Sequence, residues 1–304
     1  MKKEIPVYLA VSTNRPSIRG KIGNLDVGDN FPVLIMGVIN LTGDSFYGGS
    51  IRRSVEEVKS EALKMQADGA DIIDIGARST APYKKFDIPV SEEEASLREA
   101  VAVVTKAVKI PVSADTTRFA SAKAALDSGA TILNDVYGLQ GEDSDKIGRL
   151  VSSSGCSVIL CAHERVHGGS TTPMERVISA LWKSIELCNS FGIDRESISI
   201  DPAIGFFKDD HVSNTDWNLI VLAELEKLRD FRLPICVGVS RKRFLGELIG
   251  DKPPEYRLFP SVSASSIAVY NGAQIIRTHD VRATKEAAVV AEAIRKKKFI
   301  RPWP

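Results

Sequence analysis

The stretch VLIMGVI at residues 33–39 is short, apolar and rich in β-branched side chains, as buried strands are. A segment with helical spacing of its apolar residues follows at residues 54–68, and Gly69 ends it. A second short run, DIIDI, comes directly afterwards at residues 71–75. This order predicts a strand, a helix and a second strand parallel to the first, which is the repeating unit of a parallel sheet.

The same alternation continues to the end of the chain. Further strands are predicted at residues 110–114, 131–133, 157–161, 198–200, 235–239 and 274–276. Later helices are predicted to begin at residue 91 and to span residues 118–128, 143–153, 173–189, 215–228, 262–270 and 284–297. The pattern SEEE at residues 91–94 also predicts a capping box at the start of its helix.

Eight strand–helix units predict an α/β protein whose fold is a (β/α)8 TIM barrel. The barrel is expected to form a single domain at residues 31–298, after a short N-terminal extension at residues 1–30. The alternative is an open, doubly wound sheet. That fold would need a Gly-rich dinucleotide turn after a strand, and the chain contains no G-x-G-x-x-G pattern.

The composition excludes several functional classes. The net charge of +1 provides no overall field that would attract nucleic acid or a membrane surface, so neither is an expected partner. The N-terminus lacks the apolar stretch of a signal peptide, and no apolar run is long enough to cross a bilayer. The four cysteines form no C-x-x-C pair, which predicts reduced, buried thiols in a cytoplasmic protein.

Polar residues follow nearly every predicted strand, at the end of the barrel where such enzymes carry their chemistry. In chain order they include Asn40, Asp74, Asp115, Asn134, Asp135, His163, Asp201, Ser240, Lys242, Arg277, His279 and Asp280. A single Asp or Asn after a strand often caps the next helix, and this alternative stays open for Asp135 and Asp280. The convergence of so many polar groups, cations included, predicts a ligand site at one mouth.

Two kinds of chemistry are combined in this set. The carboxylates and the amide of Asp115, Asn134 and Asp201 suit a neutral heterocycle rich in N–H donors, such as an aminopyrimidinone edge. The basic groups of Lys242, Arg277 and His279 suit an anion such as diphosphate. The sequence therefore predicts a small molecule that joins a heterocycle to an anionic group.

Several motifs, in order along the chain, resemble those of the dihydropteroate synthases, a group of pterin-binding enzymes. They are MGVINLTGDSF at residues 36–46, GADIIDIG at 69–76, ST at 79–80, ADT at 114–116, GA at 129–130, LND at 133–135, DPAIGF at 201–206, VSRK at 239–242 and RTHD at 277–280. The resemblance covers about residues 33–290. The combination of DPAIGF, SRK and RTHD is far more specific than any one motif.

The resemblance implies a transferase of folate or archaeal pterin biosynthesis. An arylamine, usually p-aminobenzoate, displaces diphosphate from 6-hydroxymethyl-dihydropterin diphosphate. Magnesium and basic groups draw off the diphosphate, and the amine captures a pterin-stabilised cation, so the enzyme supplies charge stabilisation and orientation. The expected cofactor is Mg²⁺, the expected partners are the two substrates, and a homodimer is expected.

The resemblance also implies roles for the residues at positions that match the motifs. The pterin edge is expected to be bound by Asp115, Asn134 and Asp201. Lys242 is expected to contact the pterin and to close over the site. Asn40 is expected to bind magnesium or diphosphate, and Arg277 and His279 are expected to bind diphosphate. The arylamine is expected to be bordered by Thr80, Pro82, Phe46, Phe206, Ser240 and Arg243. Core packing is the alternative role for Phe206.

The chain departs from the usual motifs on the arylamine side. The common TPDSF reads TGDSF at residues 42–46, the usual Glu is Arg78, and Arg243 replaces the Ser after SRK. The usual GFGK reads GFFK at residues 205–208. The added positive charge leads to the hypothesis of a larger or more anionic arylamine, such as the phosphoribosyl aniline of archaeal pterin pathways. Two other readings stay open: a pterin-dependent methyltransferase and a non-catalytic pterin-binding paralogue.

Overall fold

The computed structural model describes residues 17–41, 54–78, 88–164 and 172–298. Over these ranges eight parallel strands form one sheet. They are β3 (Leu34–Asn40), β4 (Ile72–Gly76), β5 (Val112–Asp115), β6 (Ile132–Asp135), β7 (Ser157–Cys161), β8 (Ile198–Asp201), β9 (Cys236–Gly238) and β10 (Ile275–Thr278). Two further strands, β1 (Arg19–Ile22) and β2 (Leu25–Gly28), form a separate antiparallel hairpin.

The eight strands close into a barrel. Each strand from β3 to β7 pairs with its successor along the chain, and β10 lies between β9 and β3. A backbone bridge between Ile200 and Ile235 joins the two ends of the sheet, beside β8 and β9. The predicted TIM barrel is therefore confirmed, and the open, doubly wound alternative is wrong.

Helices follow the strands, and most lie within a few residues of their predicted positions. They are α1 (Val55–Ala67), α2 (Val90–Ala107), α3 (Phe119–Asp127), α4 (Ser144–Ser154), α5 (Pro173–Phe191), α6 (Asn214–Ala223), α7 (Arg243–Leu248), α8 (Leu258–Tyr270) and α9 (Val281–Lys298). Helix α7 was not predicted, because six residues are too few for a periodic pattern. Helix α6 stops early because the chain tightens into a 3₁₀ segment at Leu225–Phe231.

Capping boxes fix two of the helix starts. Ser54 and Glu57 form a capping box on α1, and Thr172 and Glu175 form another on α5. The capping box predicted at residues 91–94 is wrong, because α2 begins one residue earlier and its first residue follows Pro89 without a side-chain cap. No helix in the described ranges is long and apolar enough to span a membrane.

The inside of the barrel is apolar towards the N-terminal ends of the strands and polar towards their C-terminal ends. Its apolar cluster includes Met36, Ile72, Ile132, Ile159 and Ile275, and the hairpin residues Ile22 and Val27 belong to the same cluster. The hairpin therefore packs against the N-terminal end of the barrel. Because side chains of a strand alternate between its two faces, the inward positions beyond these residues include Asp74, Asn134 and Arg277.

Candidate active site

The polar layer of the barrel is built by residues near the carboxyl ends of neighbouring strands. Asp115 of β5 is in register with Asn134 of β6, and Cys161 of β7 is in register with Asp201 of β8. Asn134 and Asp201 are almost completely buried, and the side chain of Asp115 is 13% exposed. Strand pairing therefore brings the three predicted pterin-edge residues to one level of the barrel.

Arg277 of β10 crosses this layer to two carboxylates. One of its terminal nitrogens, Nη2, lies 2.9 Å from Asp74 Oδ2 and 3.0 Å from Asp115 Oδ2. The two carboxylates outweigh burial and raise the pKa of the Arg277 guanidinium, so it stays charged. Arg277 is thus a fixed cation within the layer.

The protonation of Asp115 depends on this cluster. Burial raises the pKa of Asp115 to about 7, and the carboxylate of Asp74 acts in the same direction. Arg277 opposes both effects. Burial also raises the pKa of Asp201, although Arg277 and Lys242 favour its ionised form. Both carboxyl groups therefore respond to a ligand that changes the charge or the hydration of the layer.

Neighbouring polar groups hold Asn134 and Asp201 in orientation. Asn134 Nδ2 donates a 3.4 Å hydrogen bond to Asp74 Oδ2, and the Cys161 thiol lies 3.8 Å from Asn134 Oδ1. Asp201 Oδ1 accepts a 2.7 Å hydrogen bond from the backbone N–H of Ala203. These groups lie beyond the apolar layer of the barrel, towards the C-terminal ends of the strands.

Several buried polar atoms of this layer lack a hydrogen-bond partner within the described part of the chain. They are Asp74 Oδ1, Ser113 Oγ, Asp115 Oδ1, Ser199 Oγ and Arg277 Nε. A buried donor or acceptor without a partner typically costs about 1–3 kcal/mol. Their concentration in one layer indicates that a ligand or water completes the hydrogen bonding there.

Lys242 follows β9 and reaches over the loop that follows β8. Its ammonium group donates a hydrogen bond to the backbone carbonyl of Ile204 and lies 4.5 Å from the ring centre of Phe206. Burial lowers the pKa of Lys242 to about 8, although Asp201 favours the charged form. Phe206 is only partly buried, so its ring faces Lys242 as well as the core.

Two of the predicted diphosphate residues, Asn40 and His279, form a chain of contacts with Ser240 at the rim of the barrel, whereas the third, Arg277, lies in the buried layer. His279 Nδ1 lies 3.0 Å from Ser240 Oγ, and Asn40 Nδ2 lies 3.4 Å from His279 Nε2. Asn40 and His279 are exposed, whereas Ser240 is buried. Arg241 braces this rim, because its guanidinium forms a bidentate pair with Asp280 at 2.7 and 2.9 Å.

The two residues with an open capping alternative both have partners inside the protein. Asp135 accepts hydrogen bonds from Tyr137 N at 2.8 Å and Leu139 N at 3.1 Å, and burial raises its pKa to about 6. Asp280 directly precedes α9 and pairs with Arg241. These contacts favour a structural role for both carboxylates.

On the arylamine side, the predicted residues Phe46, Thr80 and Pro82 lie outside the described residues. Arg243 begins α7 and pairs with Glu247 at 2.8 Å, with its side chain 67% exposed. Arg78 is buried by comparison: its Nη2 donates to Thr117 Oγ1 at 2.8 Å, and its Nε lies 3.7 Å from Glu93. Much of the charge that Arg78 adds is therefore balanced inside the protein.

Asp74 belongs to a predicted strand end, but no role was predicted for it from the sequence. The structure puts its carboxylate between Arg277 and Asn134, two of the predicted site residues. Strand alternation was the available signal, because Asp74 lies two residues after the inward-facing Ile72. A charged residue at an inward position of a barrel strand needs a partner, so it predicts a polar cluster.

Together these features define a class: a β/α barrel with buried carboxylates, an amide and fixed cations in its C-terminal mouth, the usual place of an active site in this fold. The model of the pterin binding enzyme family matches residues 36–279. The dihydropteroate synthase of Bacillus subtilis (strain 168) is 32% identical over 266 residues, which are 87% of this chain and 89% of that protein. The dihydropteroate synthase of Mycobacterium leprae (strain TN) is 35% identical over 277 residues, covering 86% and 93% of the two chains.

Solved structures agree with these relatives. Xanthomonas albilineans dihydropteroate synthase with 4-aminobenzoic acid superposes with a TM-score of 0.81 at 31% identity, covering 94% of this chain and all of that one. The Coxiella burnetii dihydropteroate synthase in complex with pteroic acid gives a TM-score of 0.79 at 33% identity, covering 92% and 100%. The chain therefore belongs to the dihydropteroate synthase family of pterin-binding enzymes.

Proposed function

We propose that this chain is a dihydropteroate synthase, a transferase that condenses 6-hydroxymethyl-dihydropterin diphosphate with p-aminobenzoate or a related arylamine and releases diphosphate. The observation that carries the proposal is the polar layer, which combines buried acceptors at Asp115 and Asp201 with basic groups at Lys242 and Arg277. The 32% identity to the Bacillus subtilis enzyme over most of both chains supports it further.

In this proposal the pterin ring lies against Asp115, Asn134 and Asp201. Two of the atoms without a partner in the described residues, Asp115 Oδ1 and Arg277 Nε, are an acceptor and a donor within one layer. They match the N–H groups and the ring nitrogen or carbonyl of an aminopyrimidinone. Lys242 covers the ring from the side of Phe206.

The chemical step then breaks the bond between the pterin methylene carbon and the bridging oxygen of the diphosphate. The bonding electron pair leaves with the diphosphate, and His279, Ser240 and Arg277 stabilise the developing negative charge. The arylamine nitrogen forms the new C–N bond and loses one proton. No strong base is required, so fixed charges and orientation supply the rate enhancement.

Magnesium is part of the proposal as a metal that arrives with the diphosphate. Within the described ranges no three His, Cys, Asp or Glu side chains are grouped to hold a metal ion. The donor set fits a shared ion, because Mg²⁺ keeps several waters and commonly takes few protein ligands besides substrate phosphates. Asn40 offers it an amide oxygen, and the ion would neutralise charge on the leaving group. Chelation should abolish turnover and added Mg²⁺ should restore it.

Diphosphate release tests the proposed reaction. The chain is mixed with pterin diphosphate, with and without p-aminobenzoate, and diphosphate and coupled product are measured. Amine-dependent release supports the synthase. Pterin binding without release would favour the non-catalytic paralogue, and methyl transfer to a corrinoid would favour the methyltransferase.

The identity of the amine is a separate proposal. The exposed Arg243 supports an arylamine larger or more anionic than p-aminobenzoate, such as a phosphoribosyl aniline, whereas the charge of Arg78 is largely balanced by Glu93. Steady-state comparison of the two amines decides between them. A clear preference of kcat/KM for p-aminobenzoate contradicts this extension and leaves the synthase assignment intact.

We also propose a cytoplasmic homodimer. The four cysteines are unpaired and buried, as expected in a reducing compartment. Helices α8 and α9 pack together and expose apolar side chains: Phe259, Ile267, Val289, Val290 and Ile294. Ile267→Asp should convert a dimer into monomers in light scattering, whereas Val90→Asp on α2 serves as the matched control.

A further inference from the structure

The loop that follows β8, residues 202–209, sets the position of Lys242. The Lys242 ammonium group donates to the carbonyl of Ile204 and faces the ring of Phe206. Gly205 between them has a φ of +84°, and a Cβ there would lie 3.0 Å from Lys242 Cδ. Only glycine combines this backbone conformation with so close an approach. Any movement of this loop therefore moves the contacts of Lys242.

The opposite side of the same loop is bound to Arg176 of α5. Arg176 Nη1 pairs with the carboxylate of Asp209, and its Nη2 donates to the carbonyl of Lys208 at 3.3 Å. The same guanidinium binds Glu164 through Nε at 3.1 and 3.2 Å. Glu164 follows β7, so one side chain connects the segments that leave two neighbouring strands.

Aromatic rings complete this arrangement. The Arg176 guanidinium lies 4.5 Å from the ring centre of Trp217 in α6, and the Trp217 ring stacks on Phe207 with centres 5.1 Å apart. Phe207 occupies the position where the usual GFGK motif has its second glycine. The stack is thus a feature of this chain, and it packs the loop against α6.

The charges of the cluster do not balance. Arg176 is 5% exposed and stands between two carboxylates, each 16% exposed. A buried ion pair is often no more stabilising than apolar packing, so stability alone is a weak reason for this cluster. Its geometric effect is clear, because the loop is held by Arg176 on one side and contacts Lys242 on the other.

We propose that Arg176 is a positioning residue for Lys242, acting through the loop at residues 202–209. This inference rests on the proposed synthase function, since Lys242 is there assigned to the pterin. The loop also begins directly after Asp201, whose carboxylate binds the Ala203 N–H within it. Loosening the loop should therefore weaken pterin binding, through Lys242 and Asp201, more than arylamine binding, for which only Phe206 of this loop is predicted.

The pH profile gives a second readout. The charged or titratable groups that face Lys242 are Asp201, Arg277, Cys161 and Asp115. None of them contacts Arg176, so their effect should persist in an Arg176 variant. A looser loop lets water reach the Lys242 ammonium group, and its pKa should move up from about 8 towards the ordinary lysine value.

The test uses Arg176→Met, Asp209→Asn and a matched control, Arg229→Met. Asparagine at 209 keeps an oxygen for the 2.7 Å hydrogen bond from His211 N but removes the charge that Arg176 binds. Arg229 is a comparably buried arginine that pairs with Asp29 at the other end of the barrel. Kinetic constants for both substrates, the pH profile and the folded fraction are measured for each full-length protein.

We expect the KM for pterin diphosphate to rise about tenfold or more in Asp209→Asn and Arg176→Met, because small displacements of positioned groups have effects of this size. The arylamine KM should rise by a smaller factor, because only Phe206 of this loop is predicted to border the arylamine, and the alkaline limb of the pH profile should move to higher pH. Arg229→Met should lower the thermal midpoint and leave both KM values unchanged.

Unchanged pterin KM and pH profile in folded Asp209→Asn would overturn the inference, as would equal changes in both KM values. Should Arg176→Met fail to fold, Asp209→Asn alone decides. A wild-type chain without turnover would refute the synthase instead. Direct titration of the wild type and Asp209→Asn with pterin diphosphate would then test the loop, with equal affinities counting against it.

Discussion

At the N-terminal end of the barrel, Asp29 is surrounded by donors, whereas Asp115 at the C-terminal end is not. Asp29 accepts two hydrogen bonds from Arg229 at 2.7 and 2.9 Å and one from Arg295 at 2.7 Å. The backbone N–H of Ile18 and the side chain of Gln274 complete its shell. Asp115 is bound by Arg277 through one oxygen, and its other oxygen has no partner in the described residues.

The pKa values of the two carboxyl groups follow this difference. Burial acts to raise both pKa values. At Asp29 the hydrogen bonds from Arg229 and Ile18 outweigh burial and hold the pKa below its usual value. At Asp115 burial prevails and the pKa rises to about 7. The same residue types thus serve stability where their hydrogen bonds are complete and ligand binding where they are not.

The largest effect on activity is expected for a substitution at the C-terminal end of the barrel. Lys242→Ala should lower kcat/KM for pterin diphosphate by about 10²-fold, the size seen when a group that positions the substrate is lost. The free energy of unfolding should hardly change, because the ammonium group contributes little packing. Diphosphate release and thermal unfolding measure the two quantities, and full activity in this variant would contradict the role assigned to Lys242.

The N-terminal end should respond in the opposite way. Asp29→Asn removes a charge that two arginines share, so the free energy of unfolding should fall by about 2–3 kcal/mol. Because Asp29 has a lowered pKa, its contribution is present at neutral pH and is lost as pH falls through the acidic range. Urea unfolding measures the loss. A large drop in kcat at a temperature where the variant is folded would break the contrast between the two ends.

A pH profile sharpens the contrast further. Asp115 accepts hydrogen bonds fully only when ionised, above a pKa of about 7, and Lys242 is charged only below a pKa of about 8. The value of kcat/KM for pterin diphosphate should therefore rise with pH through the first pKa and fall through the second. Asp115→Asn should remove the acidic limb, and Lys242→Arg should remove the alkaline limb because arginine stays charged.

The smallest effect is expected at Arg243. Its exposed pair with Glu247 should contribute less than about 1 kcal/mol to stability. If Arg243 borders the arylamine, Arg243→Gln should raise the KM of an anionic arylamine and not that of an uncharged aniline. Equal KM values for wild type and variant with both amines would remove Arg243 from the site.

The barrel was predictable because its signal is repeated. Eight apolar runs alternate with helical segments, and an error at one boundary, such as the start of α8, leaves the topology unchanged. Helix α7 and the β1–β2 hairpin were not predicted, because short elements carry too few residues for a periodic pattern.

The site residues that could be predicted from the sequence are those near the ends of strands. Asp201 is the last residue of its strand and Asn134 the second-last of its own, and the structure buries both. The partners of these residues were harder to foresee. Arg176 lies on a helix 25 residues before Asp201 in the sequence, and only the folded chain brings it to Glu164 and Asp209. Sequence spacing carries no information on such contacts.

The β1–β2 hairpin has a consequence for the order in which the substrates bind. By packing Ile22 and Val27 against one end of the barrel, it closes that end within the described residues, so substrates should enter at the C-terminal mouth. A molecule that binds deep in this mouth has to enter before one that binds near its rim. The bicyclic substrate should therefore arrive first and the amine second, and the joined product must back out through the same opening.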